Sequence, residues 1–248
     1  MERQVELTAE HITHRYEQEN IIEDINLCLK QGEIVSLLGV SGVGKTTLFH
    51  ILSGLTEPQQ GRVLLEGEEI TGRAGSVSYM LQKDLLLPYL TILDNVILPK
   101  RIKGTAKKQA RREAEELLRE FGLAGCGQKY PAQLSGGMRQ RAALLRTYLF
   151  SGRVALLDEP FSALDAITKR EMHQWYLKVM ERISLSTILI THDIDEAILL
   201  SDRIYIMAGK PGRITAELAV KKAKPRETDY MLTGEFLDYK KQILQLLG

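Results

Sequence analysis

A chain of 248 residues makes one large α/β domain, or one domain with an inserted subdomain. With 44% hydrophobic and 26% charged residues it is a globular sequence and not a disordered one. Its 33 Lys and Arg against 32 Asp and Glu leave a net charge of +1, which carries no electrostatic footprint for nucleic acid. The cysteines, Cys28 and Cys126, match no metal or redox spacing and read as free thiols of a reducing compartment. No stretch approaches the roughly 18–20 consecutive apolar residues of a membrane span. The start, Met1-Glu2-Arg3-Gln4-Val5-Glu6, lacks the apolar core of a signal peptide, so a membrane role is expected to be peripheral.

In chain order, residues 3–30 read as short strands. Val5, Leu7 and Ala9 alternate with polar residues, as do Ile25, Leu27 and Leu29, and a polar turn lies at Glu17-Gln18-Glu19-Asn20. Ile34-Val35-Ser36-Leu37-Leu38 is a continuous apolar run, the mark of a buried parallel strand. It leads into Gly39-Val40-Ser41-Gly42-Val43-Gly44-Lys45-Thr46-Thr47, which fits the phosphate-binding P-loop, G-x-x-x-x-G-K-[ST]. A helix follows over Leu48–Leu52. The glycines let the backbone come close to an anion, and successive N–H groups at a helix start form a concavity for it. Lys45 can reach the β- and γ-phosphates of a nucleotide, and the Thr46 hydroxyl can ligate Mg²⁺. Strands are then predicted over Arg62–Glu66 and Ser76–Met80.

From about Thr91 to Phe150 the pattern turns helical. Thr91 is a candidate N-cap, and residues 105–121 form a charged amphipathic helix with Ala110, Ala114, Leu117, Leu118 and Phe121 on its apolar face. Its basic start, Lys107, Lys108, Arg111 and Arg112, reads as a solvated face. The α/β pattern resumes with Val154-Ala155-Leu156-Leu157-Asp158. A helix is expected over Ala166–Ile183, a strand over Ser186–Ile190, a short helix over Glu196–Leu200, and strands over Ile204–Met207 and around Ile214–Leu218. Residues 221–229, with Pro225, read as a linker or edge, and Phe236–Leu247 as a last helix. The order of elements predicts a mostly parallel sheet with helices on both faces and a ligand site at the carboxyl ends of its strands.

Four apolar residues ending in Asp158 make a Walker B strand, whose carboxylate orients Mg²⁺. Glu159 follows at once and suits a general base that polarises the attacking water, because a side chain at a strand's end can swing toward the nucleotide. Leu134-Ser135-Gly136-Gly137-Met138-Arg139-Gln140-Arg141 opens a helix with a Ser-Gly-Gly turn, which presents a hydroxyl and N–H groups to an anion.

That octet resembles the signature motif of the ATP-binding cassette ATPases. The resemblance covers about residues 3–220 and implies a P-loop NTPase fold: a mostly parallel core sheet, an N-terminal antiparallel β subdomain and an inserted helical subdomain. It implies a head-to-tail homodimer in which ATP lies between the P-loop of one copy and Ser135, Gly136 and Gly137 of the other. It also gives roles to residues that no spacing singles out. Tyr16 resembles the aromatic that stacks on adenine, and Gln82 the glutamine that contacts Mg²⁺ and the attacking water. Ser162-Ala163-Leu164-Asp165 resembles the dimer-contacting D-loop. His192 resembles the switch histidine on the γ-phosphate.

Leu86–Val96, Asp158–Asp165 and Lys210–Ile214 look like importers of nitrate, sulfonates, taurine or a thiamine pyrimidine precursor. Met80, Ala155 and Thr147–Gly152 depart from the usual family pattern. The implied function is ATP hydrolysis that drives a separate membrane permease, with an extracytoplasmic solute-binding protein in the same system. The chain would then sit on the cytoplasmic face of the membrane. A non-transport ATPase or an exporter are the alternatives. The expected division is an ATPase domain over 1–220, with its helical insert at about 88–150, and a C-terminal linker and short helix over 221–248 that hydrolysis does not need.

Overall fold

The computed structural model describes residues 4–151, 153–224, 226 and 228–247. A long hairpin opens the chain, β1 (Val5–Tyr16) paired antiparallel with β2 (Glu19–Lys30). Alternation buries Leu7, Ala9 and Ile12 of β1 against Ile25, Leu27 and Leu29 of β2. The register slips between Ala9 and Ile12, where His11 takes a φ of 54°, the geometry of a bulge. The turn is shorter than the polar run suggests. Glu19 and Asn20 already pair with Tyr16 and Arg15, and Glu17 makes the reversal with a φ of 54°.

β3 (Ile34–Gly39) is buried at every position and feeds α1 (Lys45–Leu52). β4 (Gln60–Leu65) and β5 (Glu68–Glu69) then return to the hairpin, giving an antiparallel sheet in the order β2-β1-β4-β5. β6 (Ser78–Met80) begins at Ser78, where pairing with the strand of Asp158 starts, and not at Ser76. The helical stretch comprises α2 (Ile92–Ile102), α3 (Lys107–Glu120) and α4 (Gly136–Ser151). Thr91 caps α2, its Oγ1 accepting the Asp94 N–H at 3.2 Å. Ala110, Ala114 and Leu118 face inward from α3, and Arg111 forks onto Asp94 of α2 at 2.9 and 3.1 Å.

β7 (Val154–Asp158), α5 (Ala166–Ile183), β8 (Ser186–Thr191), α6 (Ile194–Leu200), β9 (Arg203–Ala208) and β10 (Arg213–Ala219) complete the domain. α6 starts two residues earlier than its apolar pattern, because Asp193 caps it by accepting from Asp195 and Glu196 N–H groups. The second sheet runs β10-β9-β3-β8-β7-β6, parallel except for the β10–β9 pair. Its central strands serve a core on each face. Ile34, Leu38, Leu157 and Leu189 point to the side of the helices α2–α6, while Val35, Leu37, Leu156, Ile188 and Ile190 point to α1 and the antiparallel sheet. The sheet architecture is the one the sequence predicts.

Trp175 of α5 lies at the seam with the helical stretch. Its ring is 5.7 Å from that of Phe121 and lies under the Arg141 guanidinium at 4.8 Å. α7 (Gly234–Leu247) buries Phe236 and Ile243. Pro225, on which the linker reading rests, lies outside the described residues. Its neighbour Arg226 is not linker-like, being 1% exposed with its guanidinium among main-chain carbonyls. Nη1 donates to Ile198, Leu199 and Ser201 carbonyls at 2.7, 3.1 and 2.7 Å, Nε to Lys222 at 2.9 Å and Nη2 to Val220 at 3.3 Å. Polarity alone does not reveal this, because a guanidinium is buried when a fan of acceptors meets it.

Candidate functional site

The strand register sets the site. Leu38 pairs with Thr191 and Asp158 with Ile190, so the carboxyl ends of β3, β8 and β7 stand level. Gly39–Gly44 turns off the first of these. Gly42 and Gly44 take φ of 82° and 103°, which a side chain resists. A Cβ on Gly39 would meet the Met207 carbonyl at 2.4 Å, and one on Gly44 would meet Ile22 at 2.4 Å. One on Gly42 would point into open space, so that glycine is required for its backbone angle alone. Val40, Ser41 and Gly42 are exposed and Val43 is buried beneath them. Lys45 is buried and curls back over the loop, its Nζ donating to the Gly39 and Val40 carbonyls at 2.8 and 2.9 Å. Burial pushes its pKa down, against the pull of Glu159 and Asp158. Thr46 is exposed and Thr47 half-buried.

Thr46 Oγ1 faces Asp158 Oδ2 at 3.5 Å. Burial pushes the Asp158 carboxyl up, and the Tyr79 hydroxyl, donating to Oδ2 at 3.3 Å, works the other way. Tyr79 itself is pushed up, by burial first and by Asp158 second. An alcohol and a carboxylate side by side are hard oxygen donors, which suit Mg²⁺. Among the described residues no cluster of three or more His, Cys, Asp or Glu could hold a metal alone. The ion that fits here is one bound largely through phosphate and water.

Glu159 takes a φ of 46°, the left-handed region that a glutamate rarely enters. That reversal lifts it out of strand alternation, and its N–H still bonds the Ile190 carbonyl at 3.0 Å. Its carboxylate meets Gln82 Nε2 at 3.2 Å on one oxygen and His192 Nδ1 at 3.0 Å on the other. A carboxylate only accepts, so the His192 nitrogen facing it carries the proton. Ser162 Oγ donates to the Glu159 carbonyl at 2.9 Å and accepts from Gln82 at 3.4 Å. Ser162, read from the sequence as part of a dimer-contacting turn, thus also stands in the site, and Tyr79 is a site neighbour that no motif assigns. The signal for Tyr79 is positional: it lies on the strand beside that of Asp158, three residues before Gln82.

Ser135 opens α4, its Oγ accepting the Met138 N–H at 3.3 Å. A Cβ on Gly137 would press on Thr168 at 3.2 Å, so this glycine lets α4 and α5 start side by side. Gly136 lines a cleft of about 820 Å³ with Gln82, Glu159, Ser162 and His192, whose walls include no residue of the phosphate loop. Asp165 spends its carboxylate on its own helix, accepting from the Ile167 and Thr168 N–H groups at 3.1 Å each. The Thr168 side chain first, and then those N–H groups, hold its pKa below the usual carboxylate range. Tyr16 stands apart at the tip of β1, half exposed, its ring edge-on to His14 at 4.8 Å. The structure thus gathers Gln82, Glu159 and His192 in one group, and Thr46 and Asp158 in another beside it. Tyr16, Ser135 and Asp165 are left at the periphery.

The ABC transporter family profile matches residues 22–162. The chain is 41% identical over 244 residues to the formylaminopyrimidine import ATP-binding protein ThiZ of Halalkalibacterium halodurans, covering 97% of this chain and 96% of that protein. It is 42% identical over 212 residues to the aliphatic sulfonates import ATP-binding protein SsuB 2 of Burkholderia cenocepacia, covering 86% and 77%. Among solved structures it resembles a post-hydrolysis dimer of the ATP-binding cassette MJ0796 bound to ADP and Pi. There the TM-score is 0.73 at 28% identity, over 88% of this chain and all of that one. With the loop, the paired carboxylates and the Ser-Gly-Gly turn in place on this fold, the chain belongs to the ABC transporter family of ATP-binding proteins.

Proposed function

We propose that the chain hydrolyses ATP as the nucleotide-binding subunit of an importer for a small solute, and works through separate integral-membrane permease subunits. The observation that carries this is the convergence of Gln82, Glu159 and His192 at level strand ends beside the phosphate loop. Binding alone does not require a strained carboxylate there. In this reading the Val40–Thr47 amides and Lys45 hold the phosphates, and Tyr16 takes the adenine. Magnesium, when bound, supplies positive charge against the phosphate oxygens, held by Thr46 and Gln82 and oriented by Asp158. Glu159 takes the proton of the attacking water, and Gln82 and His192 fix its carboxylate. Ser135, Gly136 and Gly137 of a second copy close on the γ-phosphate, with Asp165 on the dimer face. What supports a sandwiched homodimer is that Gly136 opens on a cleft without phosphate-loop walls.

We place residues 1–220 as the ATPase domain, with its helical subdomain at about 88–150, and residues 221–248 as a C-terminal linker and short helix, of which Arg226, Phe236 and Ile243 are buried. Among the described residues no helix is long and apolar enough to cross a membrane. A peripheral position on the cytoplasmic membrane face fits that. The relatives named for formylaminopyrimidine and sulfonate import favour a solute of the nitrate, sulfonate, taurine or pyrimidine-precursor type. Choice of solute then rests with the permease and a solute-binding protein outside the membrane.

Glu159→Gln is the test. Loss of a general base lowers turnover by about 10²–10⁴-fold, and ATP affinity is expected to survive, since Lys45, Thr46, Gln82 and Asp158 remain. Removing one negative charge beside the γ-phosphate also favours the closed pair, so the variant is expected to run as an ATP-bound dimer on gel filtration. Near-wild-type phosphate release would overturn the role of Glu159. Lost turnover without dimer would overturn the sandwich.

A further inference from the structure

Lys169 touches the caps of two helices at once. It lies in the first turn of α5, where its N–H donates to the Asp165 carbonyl at 2.8 Å. Its side chain crosses to α6 and donates to Asp193 Oδ2 at 2.6 Å, with Glu196 Oε2 at 3.4 Å. Asp193 is the N-cap of α6 and the residue after His192, and its other oxygen accepts the Asp195 and Glu196 N–H groups at 3.0 and 3.2 Å. The Lys169 side chain is 20% exposed, that of Glu196 3% and that of Asp193 33%, so the Glu196 side of the contact is shielded from water and salt and the Asp193 side only in part. His173, one turn further along α5, reaches the same Glu196 oxygen at 3.1 Å. Burial disfavours the ammonium, and Asp193 and Glu196 outweigh it, holding the Lys169 pKa above its ordinary value. The charge persists because the partners are fixed in place.

We propose that Lys169 is a positioning residue that ties the turn at Asp165 to His192. Motion at one helix cap is then passed to the other through one side chain. This inference rests on the functional reading above, in which a second copy meets the Asp165 turn and His192 holds Glu159. It adds the physical link between them. Dimer closure at Asp165 moves the start of α5. The Lys169–Asp193 pair carries that shift to the start of α6, and His192 brings its Nδ1 to the Glu159 carboxylate, 3.0 Å away in this structure. A short link is enough, because a displacement of about 1 Å at a reacting group costs on the order of a hundredfold in rate. Neither Lys169 nor Asp193 is among the residues given to the phosphates, so ATP binding is expected not to depend on their pair.

The experiment uses the full chain. Lys169→Met keeps the unbranched stem of the side chain as far as Cε and removes its charged end, Lys169→Arg restores the charge, and Asp193→Asn keeps the helix cap. With Lys169→Met, kcat for ATP is expected to fall by about ten- to a hundredfold while KM stays within about twofold. Lys169→Arg is expected to recover most of the loss. The Lys169→Met/Asp193→Asn double variant should be no worse than the poorer single one, the mark of residues that act as a unit. Unchanged kcat in Lys169→Met, no recovery with Arg, or losses that multiply would each overturn the link. Hydrogen exchange provides a second readout, independent of turnover. Lys169→Met is expected to speed exchange in the peptide covering His192–Glu196 and to leave the α1 peptide unchanged, and equal exchange in both proteins overturns the proposal. A wild-type chain that bound but never hydrolysed ATP would overturn the functional reading, and the exchange comparison would still decide whether Lys169 holds the His192 segment.

Discussion

In the phosphate loop, Lys45 gives its donors to the Gly39 and Val40 carbonyls while burial lowers its pKa. Phosphate oxygens offer that ammonium stronger, charged acceptors. Lys45→Ala removes hydrogen bonds to a charged group worth about 1.5–3 kcal/mol, so ATP affinity is expected to drop roughly ten- to a hundredfold. A titration with a fluorescent ATP analogue checks it, and unchanged affinity would place the phosphates elsewhere. Lys45 was legible because a P-loop is local: glycine spacing, strand before and helix after lie within a few residues. Tyr79 was not, and Ser162 was legible only as part of a dimer-contacting turn and not as a neighbour of Gln82. Each acts through a partner about 80 residues or a strand end away, Tyr79 on Asp158 and Ser162 on Gln82. The link is made by parallel pairing of β6 with β7, which no window of sequence contains. Glu159 is intermediate. Its residue type announced a base, but its left-handed backbone, the device that turns it toward His192, has no sequence signal in a glutamate.

Two helix starts were readable from their side-chain caps, while that of α6 reads two residues late although Asp193 caps it. Thr91 and Asp165 start α2 and α5 by accepting N–H groups, and both starts stand where the sequence puts them. The far end of α6 stands at Leu200, where the sequence puts it, but what satisfies that end was not readable, because it comes from outside the helix. Arg226 collects the Ile198, Leu199 and Ser201 carbonyls that α6 leaves unpaired at its C-terminus. A cation there also opposes the negative end of the helix dipole. Lys240 of α7 adds an ion pair to Asp195 at 2.7 Å, so the C-terminal segment grips the helix at both ends. Arg226→Ala strands buried carbonyls and is expected to destabilise the fold by about 3 kcal/mol. Thermal melting of the variant checks this. A melting point within a degree of wild type would show that these bonds do not hold the end of α6.

For the whole molecule, the functional reading predicts an activity shared between copies. If phosphate loop and Ser-Gly-Gly turn must come from different chains, specific ATPase activity is expected to rise with protein concentration until the dimer saturates. A flat profile across a range where sedimentation shows monomer would argue for a site complete in one chain. The closure this implies needs a body that can shift. The helices α2–α4 share one core with the sheet and α5, so movement there is a repacking of seams and not a swing on a free hinge. One of those seams contains the chain's single tryptophan. Trp175 is wedged between Phe121 at the end of α3 and Arg141 of α4. Its emission therefore reports, without any label, how α3 and α4 sit on α5. Adding ATP and magnesium to Glu159→Gln is expected to alter that emission as the pair closes. An unaltered spectrum would mean that these helices and α5 travel as one rigid block.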